Sequence, residues 1–157
     1  MEKRTVNHST YVVERAYPAT PKRVFAAFSD PAKKRRWYAD KENGEVLEYE
    51  MDFRAGGKES SRFRSKGGPM AGAVFGNQTT YHDIVQNSRI VLAYTMSVND
   101  KCISASLATF EFVATESGTN LVFTEQAAFF EGADGPQMRE MGWRHLLESL
   151  AKELERS

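Results

Sequence analysis

The chain has 157 residues, and its 21 lysines and arginines are balanced by 21 aspartates and glutamates. A formal net charge of zero argues against a nucleic-acid-binding role, because such proteins carry excess positive charge to meet the phosphate backbone. With 41% hydrophobic residues the chain can bury a core, and its length predicts a single domain over residues 1–157 with a core over about residues 10–155.

The first elements are predicted to be a strand and two short helices. Residues 10–17 are rich in β-branched and aromatic side chains, which favour a strand. Thr20-Pro21 and Asp30-Pro31 then each place a helix-capping residue directly before a proline, which is typical of a helix start. Since the second start follows the first so soon, both helices are expected to be short.

A series of predicted strands follows from Gly44 onward. Pairs of turn-forming residues, such as Gly56-Gly57 and Asn99-Asp100, separate runs of strand length. This punctuation predicts an antiparallel meander of six strands, over residues 45–52, 58–66, 71–85, 89–98, 102–115 and 119–130. Several of these runs are long, which favours bent strands in a curved sheet.

The C-terminal segment has a different period. Its apolar residues recur at helical spacing and predict a helix over residues 136–155, with an apolar face made of Trp143, Leu146, Leu147, Leu150, Ala151 and Leu154. The element order therefore predicts an α+β protein. A sheet of seven strands is over three times as wide as one helix of about 10 Å. The sheet must then curve around the helix, and we expect a cavity between them.

Several motifs, in this order and spacing, resemble the SRPBCC superfamily. They are TPKRVFAAFSDP at residues 20–31, Trp37, Gly56-Gly57, residues 81–85 with 89–91, FTEQ at residues 123–126, and Gly142-Trp143 before Leu147 and Leu150. Within this superfamily the chain is most similar to the activator of heat-shock-protein-90 ATPase homologue-like group. The resemblance covers about residues 11–154 and implies the START-like, helix-grip fold. In that fold a curved seven-stranded antiparallel sheet wraps around a long C-terminal helix, and two short helices follow the first strand.

The superfamily includes lipid carriers, hormone receptors, cyclases, resistance proteins and co-chaperone domains, so the resemblance does not assign one function. Our leading hypothesis is that a small hydrophobic or amphipathic ligand binds in the cavity. Its wall is predicted to include Trp37, Tyr94, Met96, Phe123, Met138, Met141, Trp143 and Leu147. Such side chains also fill ordinary cores. Arg62, Tyr94 and Glu125 are the polar residues expected to orient the ligand.

Gly142 is unusual because it lies in the middle of the predicted C-terminal helix. A glycine there costs ~1 kcal/mol relative to alanine. Its presence beside Trp143 predicts that a strand or a ligand approaches the helix backbone closely.

A second hypothesis is an enzyme of cyclase or hydratase type that uses Glu125 or His145 for proton transfer. Glu125 lies in an apolar predicted strand, near Tyr94 and His145 if the sheet and the helix pack as expected. A carboxylate that faces an apolar cavity would have a raised pKa. Alternatively, Glu125 points to solvent or pairs with a cross-strand arginine.

A third hypothesis, implied by the resemblance, is a co-chaperone role through a basic surface. The basic run at residues 33–36 and the residues Arg54, Arg62, Arg64 and Lys66 could form such a surface, although charged residues of this kind usually form a solvated face. Co-chaperones of this kind carry an additional N-terminal domain, for which 157 residues leave no room. This argues against direct activation of a chaperone. Exposed edge strands would allow a homodimer.

The sequence lacks the residue patterns that other classes of site require. The three histidines share no ligand spacing with each other or with Cys102, so neither a metal nor another cofactor is expected. Cys102 lies in a predicted strand and is expected to be a buried structural residue. No apolar stretch reaches the roughly 20 residues that cross a bilayer. The charged first residues are not followed by the apolar segment of a secretion signal. The sequence therefore predicts a cytoplasmic protein without a membrane span.

Overall fold

The computed structural model describes residues 5–41 and 43–156. Its strands are β1 (Asn7–Tyr17), β2 (Gly44–Met51), β3 (Lys58–Ser65), β4 (Val74–Val85), β5 (Arg89–Val98), β6 (Lys101–Thr115) and β7 (Gly118–Phe129). Its helices are α1 (Pro21–Ser29), α2 (Pro31–Lys34), which continues into a π-helical turn (Arg35–Ala39), and α3 (Pro136–Arg156). The predicted α+β order of elements is confirmed.

The strands form one antiparallel sheet of seven strands in the order β1-β7-β6-β5-β4-β3-β2. β1 and β2 are therefore the two edges of the sheet. The register of pairing shifts within β2, within β4 and between β5 and β6, and such irregularities bend a strand. With α3 packed on one face and two short helices after β1, this is the helix-grip architecture that the sequence predicted.

The two short helices begin where their capping residues predict. The Thr20 hydroxyl accepts a hydrogen bond from the backbone N–H of Arg23 at 3.3 Å. The Asp30 carboxylate accepts from the N–H groups of Ala32 and Lys33 at 2.9 and 3.4 Å. Each cap satisfies donors that the first helical turn leaves unpaired.

Helix α3 packs along the β1 side of the sheet. Its apolar stripe, which includes Trp143, Leu147 and Leu150, is buried. The Tyr17 hydroxyl donates to the backbone carbonyl of Leu147 at 2.8 Å, and Arg23 donates to the carbonyl of Leu154 at 2.7 Å. Because α3 is fixed on this side, the inner face of β3, β4 and β5 remains open toward a cavity.

Two local predictions were wrong. The fourth strand begins at Val74 rather than at residue 71, because the residues before it form a loop in which Gly68 and Gly72 have φ angles of +72° and +88°. Cys102 is exposed. It lies opposite Ser97, next to the register shift between β5 and β6, where burial begins only at Ile103.

The basic run at residues 33–36 is not a uniformly solvated face. Lys34 is only 5% exposed, because its side chain turns inward to the sheet. The three arginines of the other proposed basic residues have acidic neighbours: Arg54 lies 2.8 Å from Asp52, Arg62 lies 4.0 Å from Asp100, and Arg64 lies 3.8 Å from Glu45. Across the residues that the structure describes, no helix has the length and apolar character needed to span a membrane.

Candidate functional site

A cavity of about 940 Å³ lies between α3, the π-helical turn and the inner face of strands β3, β4 and β5. Its floor consists of two rows of side chains that strand pairing places side by side. One row pairs Phe63 with Phe75, and the next runs from Ser61 through Asn77 to Met96. Because alternate residues of a strand share one face, these side chains all point toward the cavity.

Helix α3 borders the cavity with a second stripe, distinct from its buried apolar one. The stripe consists of Met138, Gly142, His145, Ser149, Lys152 and Arg156, which recur every three or four residues and so share one face. Its character changes along the helix. Met138 and Gly142 give an apolar first half, whereas Lys152 and Arg156 give a basic second half.

Gly142 is the gap in this stripe. A Cβ atom at this position would have no other atom within 4 Å. No strand approaches the helix backbone here, so that part of the prediction was wrong. Gly142 instead leaves open volume in front of the helix.

Glu125 lies directly behind the cavity wall and is fully buried at 0% exposure. Its two carboxylate oxygens accept hydrogen bonds from the hydroxyls of Tyr11 and Tyr94, and Arg139 Nη1 lies 3.7 Å from Oε2. Tyr11 is its direct cross-strand neighbour on β1. Tyr94 reaches it from β5 across the small residue Ala108 of β6. Glu125 thus does not face solvent, and its arginine partner comes from α3 rather than from a neighbouring strand.

Arg139 joins Glu125 to the rest of the cavity wall. Its Nε and Nη2 atoms donate to the Asp134 carboxylate at 2.8 and 2.9 Å, and Nη2 also donates to Ser104 Oγ at 2.8 Å. The Tyr94 hydroxyl oxygen accepts from Arg139 Nη1 at 3.1 Å and from Trp143 Nε1 at 3.3 Å. These polar groups satisfy one another, which makes this part of the wall rigid.

The tyrosine hydroxyls of this cluster are strongly held in the protonated form. Burial, and then the charge of Glu125, raises the pKa of both Tyr11 and Tyr94. A neutral hydroxyl is the form that can donate to the carboxylate. The Tyr94 proton is therefore committed to Glu125.

A second buried carboxylate, Glu59, lies on β3. Its Oε1 atom accepts from Lys34 Nζ at 3.1 Å and from the Tyr81 hydroxyl, while Oε2 accepts from the Tyr49 hydroxyl at 3.2 Å. The Lys34 ammonium also lies 4.5 Å from the centre of the Tyr38 ring. This cluster attaches α2 to the sheet.

Six of the ten predicted ligand residues border the cavity: Trp37, Arg62, Tyr94, Met96, Met138 and Trp143. Trp37 is only 2% exposed, and its indole N–H donates to the carbonyl of Ala27 at 2.8 Å, so it is mainly a core residue. Arg62 lies between Ser61 and Phe63, whose side chains face the cavity. Strand alternation therefore places the Arg62 side chain on the other face of the sheet, where its guanidinium lies 4.0 Å from Asp100. Its predicted role in orienting a ligand does not fit this position.

The other four predicted residues lie elsewhere. Phe123 is fully buried behind Trp143, with ring centres 4.5 Å apart, and Glu125 is buried behind Tyr94. Met141 and Leu147 border a separate groove of about 340 Å³ between β1 and α3. Met141 is two positions before Trp143, and this spacing places the two side chains on different helix faces.

The two predicted proton-transfer groups are not brought together. His145 is exposed and borders the cavity. The polar partners of Glu125 are Tyr11, Tyr94 and Arg139. In the described part of the chain, His145 is therefore not among the polar contacts of Glu125, contrary to the expectation.

The buried charges Arg139, Glu59 and Lys34 were not predicted from the sequence. A signal existed for Arg139, which lies four residues before Trp143 and so belongs to the buried stripe of α3. Glu59 shares its strand face with the buried Ser61, which strand alternation would have indicated. Within residues 5–41 and 43–156, no group of three or more His, Cys, Asp or Glu side chains is placed to hold a metal ion.

Solved structures of bacterial proteins are similar to this chain over almost its whole length. A protein from Rhizobium leguminosarum is 39% identical, with a TM-score of 0.88 over 97% of each chain. The Mll3558 protein from Rhizobium loti is 46% identical, with a TM-score of 0.85 over 96% of this chain and 99% of its own. An AHSA1-like protein from Aeromonas hydrophila is 19% identical, with a TM-score of 0.69 over 94% of this chain and 93% of its own, a likeness that shows the fold alone. No curated protein sequence matches the chain.

The family assignment rests on a match over most of the sequence. Residues 18–155 match the family described as Activator of Hsp90 ATPase homolog 1-like protein. This family is part of the superfamily that the motifs from Thr20 to Leu150 indicate. The chain therefore belongs to the activator of Hsp90 ATPase homolog 1-like family of the SRPBCC superfamily.

Proposed function

We propose that this protein binds a small amphipathic molecule in the cavity between α3 and the sheet. The observation that carries this proposal is the cavity of about 940 Å³. Its volume falls within the roughly 300–1,000 Å³ typical of small-molecule sites. The fold of this family is, in general, that of a ligand-binding domain.

The apolar part of the cavity supplies the surface for the body of such a ligand. Phe63, Phe75 and Met96 lie on its floor, and Trp143 borders it from α3. Apolar surface removed from water contributes about 25 cal/mol per Å². A ligand that covers these side chains would therefore gain affinity mainly from apolar burial.

The polar part of the wall favours binding over chemistry. Glu125 is fully buried, and both of its oxygens accept tyrosine hydroxyls. Tyr94 separates Glu125 from the cavity, and its hydroxyl proton is already donated in the hydrogen bond to Glu125. The cyclase or hydratase alternative through Glu125 thus has little support, and His145 is the titratable group that remains for it.

The chaperone alternative follows from the description of the family rather than from a feature of this surface. Arg54 and Arg64 have carboxylate neighbours, and Lys34 is buried. The proposed basic surface is therefore weaker than its sequence suggests.

Gly142 offers a direct test of the proposal. We expect Gly142→Phe to reduce the affinity for Nile red, a neutral dye that fluoresces in apolar surroundings. The phenyl ring would enter the open volume in front of the helix, and overfilling of this kind costs about 1–3 kcal/mol, roughly a 5- to 150-fold loss of affinity. A fluorescence titration measures the change.

Two matched variants control this experiment. Gly142→Ala should keep dye binding and raise the free energy of unfolding by about 1 kcal/mol, because alanine favours the helix and its Cβ meets no other atom. Met141→Phe adds the same ring to α3 outside the cavity and should leave the affinity unchanged. Equal dye binding by Gly142→Phe and Gly142→Ala would contradict the proposal.

A further inference from the structure

The charges around the cavity are unbalanced, although the whole chain is neutral. Among the described residues, the acidic side chains at its border are Asp40, Asp134 and Glu153, and the basic ones are Arg36, Lys41, Arg139, Lys152 and Arg156, whereas the Arg62 side chain lies on the other face of the sheet. Each of the three carboxylates has an arginine partner within 3.4 Å: Arg35 for Asp40, Arg139 for Asp134 and Arg36 for Glu153. The excess charge of the cavity is therefore positive.

Lys41 is one of two lysines at the cavity border that have no carboxylate partner in the described part of the chain. Its ammonium lies 5.1 Å from the centre of the Phe63 ring on the cavity floor. Across residues 5–41 and 43–156, no carboxylate lies within ion-pair distance of Lys41. The surrounding protein removes water from this ammonium and lowers the pKa of Lys41. The Lys41 side chain is exposed, so an anion can reach its ammonium from solvent and would supply the counter-charge that the described residues do not provide.

Arg139 leaves no comparable place for an anion in the cavity. Arg139 borders it, but the guanidinium already donates to Asp134, Ser104 and Tyr94. Lys152, by contrast, extends from the basic half of the α3 stripe and has no carboxylate partner in the described part of the chain. Of the two lysines, Lys41 lies against Phe63 on the cavity floor, so a bound anion is expected near Lys41 rather than near Arg139.

We propose that the ligand of this cavity is an amphipathic carboxylate, whose carboxylate pairs with the Lys41 ammonium and whose apolar body covers Phe75, Met96 and Trp143. This inference rests on the proposed function and specifies the class of its ligand. A monocarboxylate with a long apolar body meets both requirements. A neutral amphipathic molecule of the same length would fill the cavity but leave Lys41 without a counter-ion.

The test compares dodecanoate with dodecanol, which differ in their head groups, as competitors for bound Nile red below their aggregation concentrations at neutral pH. We expect dodecanoate to bind at least about tenfold more tightly, a difference of ~1.4 kcal/mol. Lys41→Gln should remove this preference by weakening dodecanoate alone, and Lys41→Arg should restore part of it. Lys58→Gln, which removes an exposed lysine outside the cavity, should leave the preference unchanged.

The outcomes separate this inference from the proposed function. Equal affinity for the two competitors, or a preference that survives in Lys41→Gln, would overturn the carboxylate assignment. If neither competitor displaces a dye whose binding still depends on Gly142, the carboxylate assignment fails and the proposed function stands. If dye binding does not depend on Gly142, the proposed function itself fails.

Discussion

Glu125 and Glu59 are two buried carboxylates in different parts of one sheet, and their partners are of the same kinds. Each accepts hydrogen bonds from two tyrosine hydroxyls that come from two other strands. Each also has one cation from a helix: Arg139 of α3 for Glu125 and Lys34 of α2 for Glu59. In both clusters, burial and then the charge of the glutamate raise the pKa of the tyrosines that donate to it.

The two clusters differ in what they border. Tyr94 and Arg139 of the Glu125 cluster form part of the cavity wall. The Glu59 cluster lies beneath Tyr38, and its four members do not border the cavity. The same buried chemistry thus forms part of the cavity wall in one place and attaches a helix to the sheet in the other. The two clusters are therefore distinguished by their position relative to the cavity rather than by their chemistry.

Removal of the cation should have the largest effect in both clusters. We expect Lys34→Met and Arg139→Met each to lower the free energy of unfolding by about 3–5 kcal/mol, because each leaves a buried carboxylate without its counter-charge. Urea denaturation measures this loss. Adding Glu59→Gln to Lys34→Met should recover part of it, since the uncompensated charge is then removed.

Nile red affinity, measured where each variant is folded, should separate the two cation variants. Arg139→Met is expected to weaken dye binding, because the cavity wall loses the group that holds Tyr94. Lys34→Met is expected to leave it close to that of the unaltered protein. An equal loss in both variants would show that the clusters do not differ in the way described.

The conservative changes Glu125→Gln and Glu59→Gln should have a smaller effect. Each amide places an NH₂ group against a tyrosine hydroxyl that formerly donated, and we expect a loss of about 1–3 kcal/mol in the free energy of unfolding. Calorimetry would give the two values. Only Glu125→Gln should also alter dye affinity, and a change confined to Glu59→Gln would reverse the assignment of the two clusters.

Substitution of a third carboxylate, Glu153, is expected to change the free energy of unfolding least, and the change should depend on pH. Its oxygens accept two hydrogen bonds of 2.8 Å from Arg36, a half-exposed residue, and these lower the pKa of Glu153. A carboxylate whose pKa is lower in the folded state stabilises the fold above its unfolded pKa of about 4.3, and this contribution disappears as the pH falls through the lowered value.

Glu153→Gln should therefore lower the free energy of unfolding at neutral pH. The difference from the unaltered protein should shrink as the pH falls below about 4. Unfolding curves recorded from pH 3 to pH 7, with the glutamate and glutamine proteins in parallel, would show this trend. A difference that grows toward acid pH would contradict the role assigned to Arg36.

Local signals in the sequence were sufficient to predict the fold. The capping pairs at Thr20 and Asp30, the turn residues between strands and the apolar stripe through Trp143 each act over a few residues, and each predicted its element. The cavity also followed, because one helix cannot cover a sheet of seven strands.

The residues of the site were harder to predict because their positions depend on register and helix rotation. Arg62 and Met141 were assigned to the cavity, but strand alternation and helical spacing turn them away from it. The partners of Glu125 come from β1, β5 and α3, which are far apart in sequence. Lys41 was not predicted because a lysine in a loop resembles any solvated charge until the fold places it at the border of a cavity.

The most direct test of the central claim is native mass spectrometry of the protein purified without detergent, compared with its mass after denaturation. We expect the native mass to exceed the denatured mass by a few hundred daltons, the mass of a small amphipathic molecule, and the released compound to carry a carboxylate. The excess should disappear in Gly142→Phe and remain in Gly142→Ala. Identical native and denatured masses, together with no Gly142-dependent binding of added Nile red, would contradict the claim that this cavity holds a ligand.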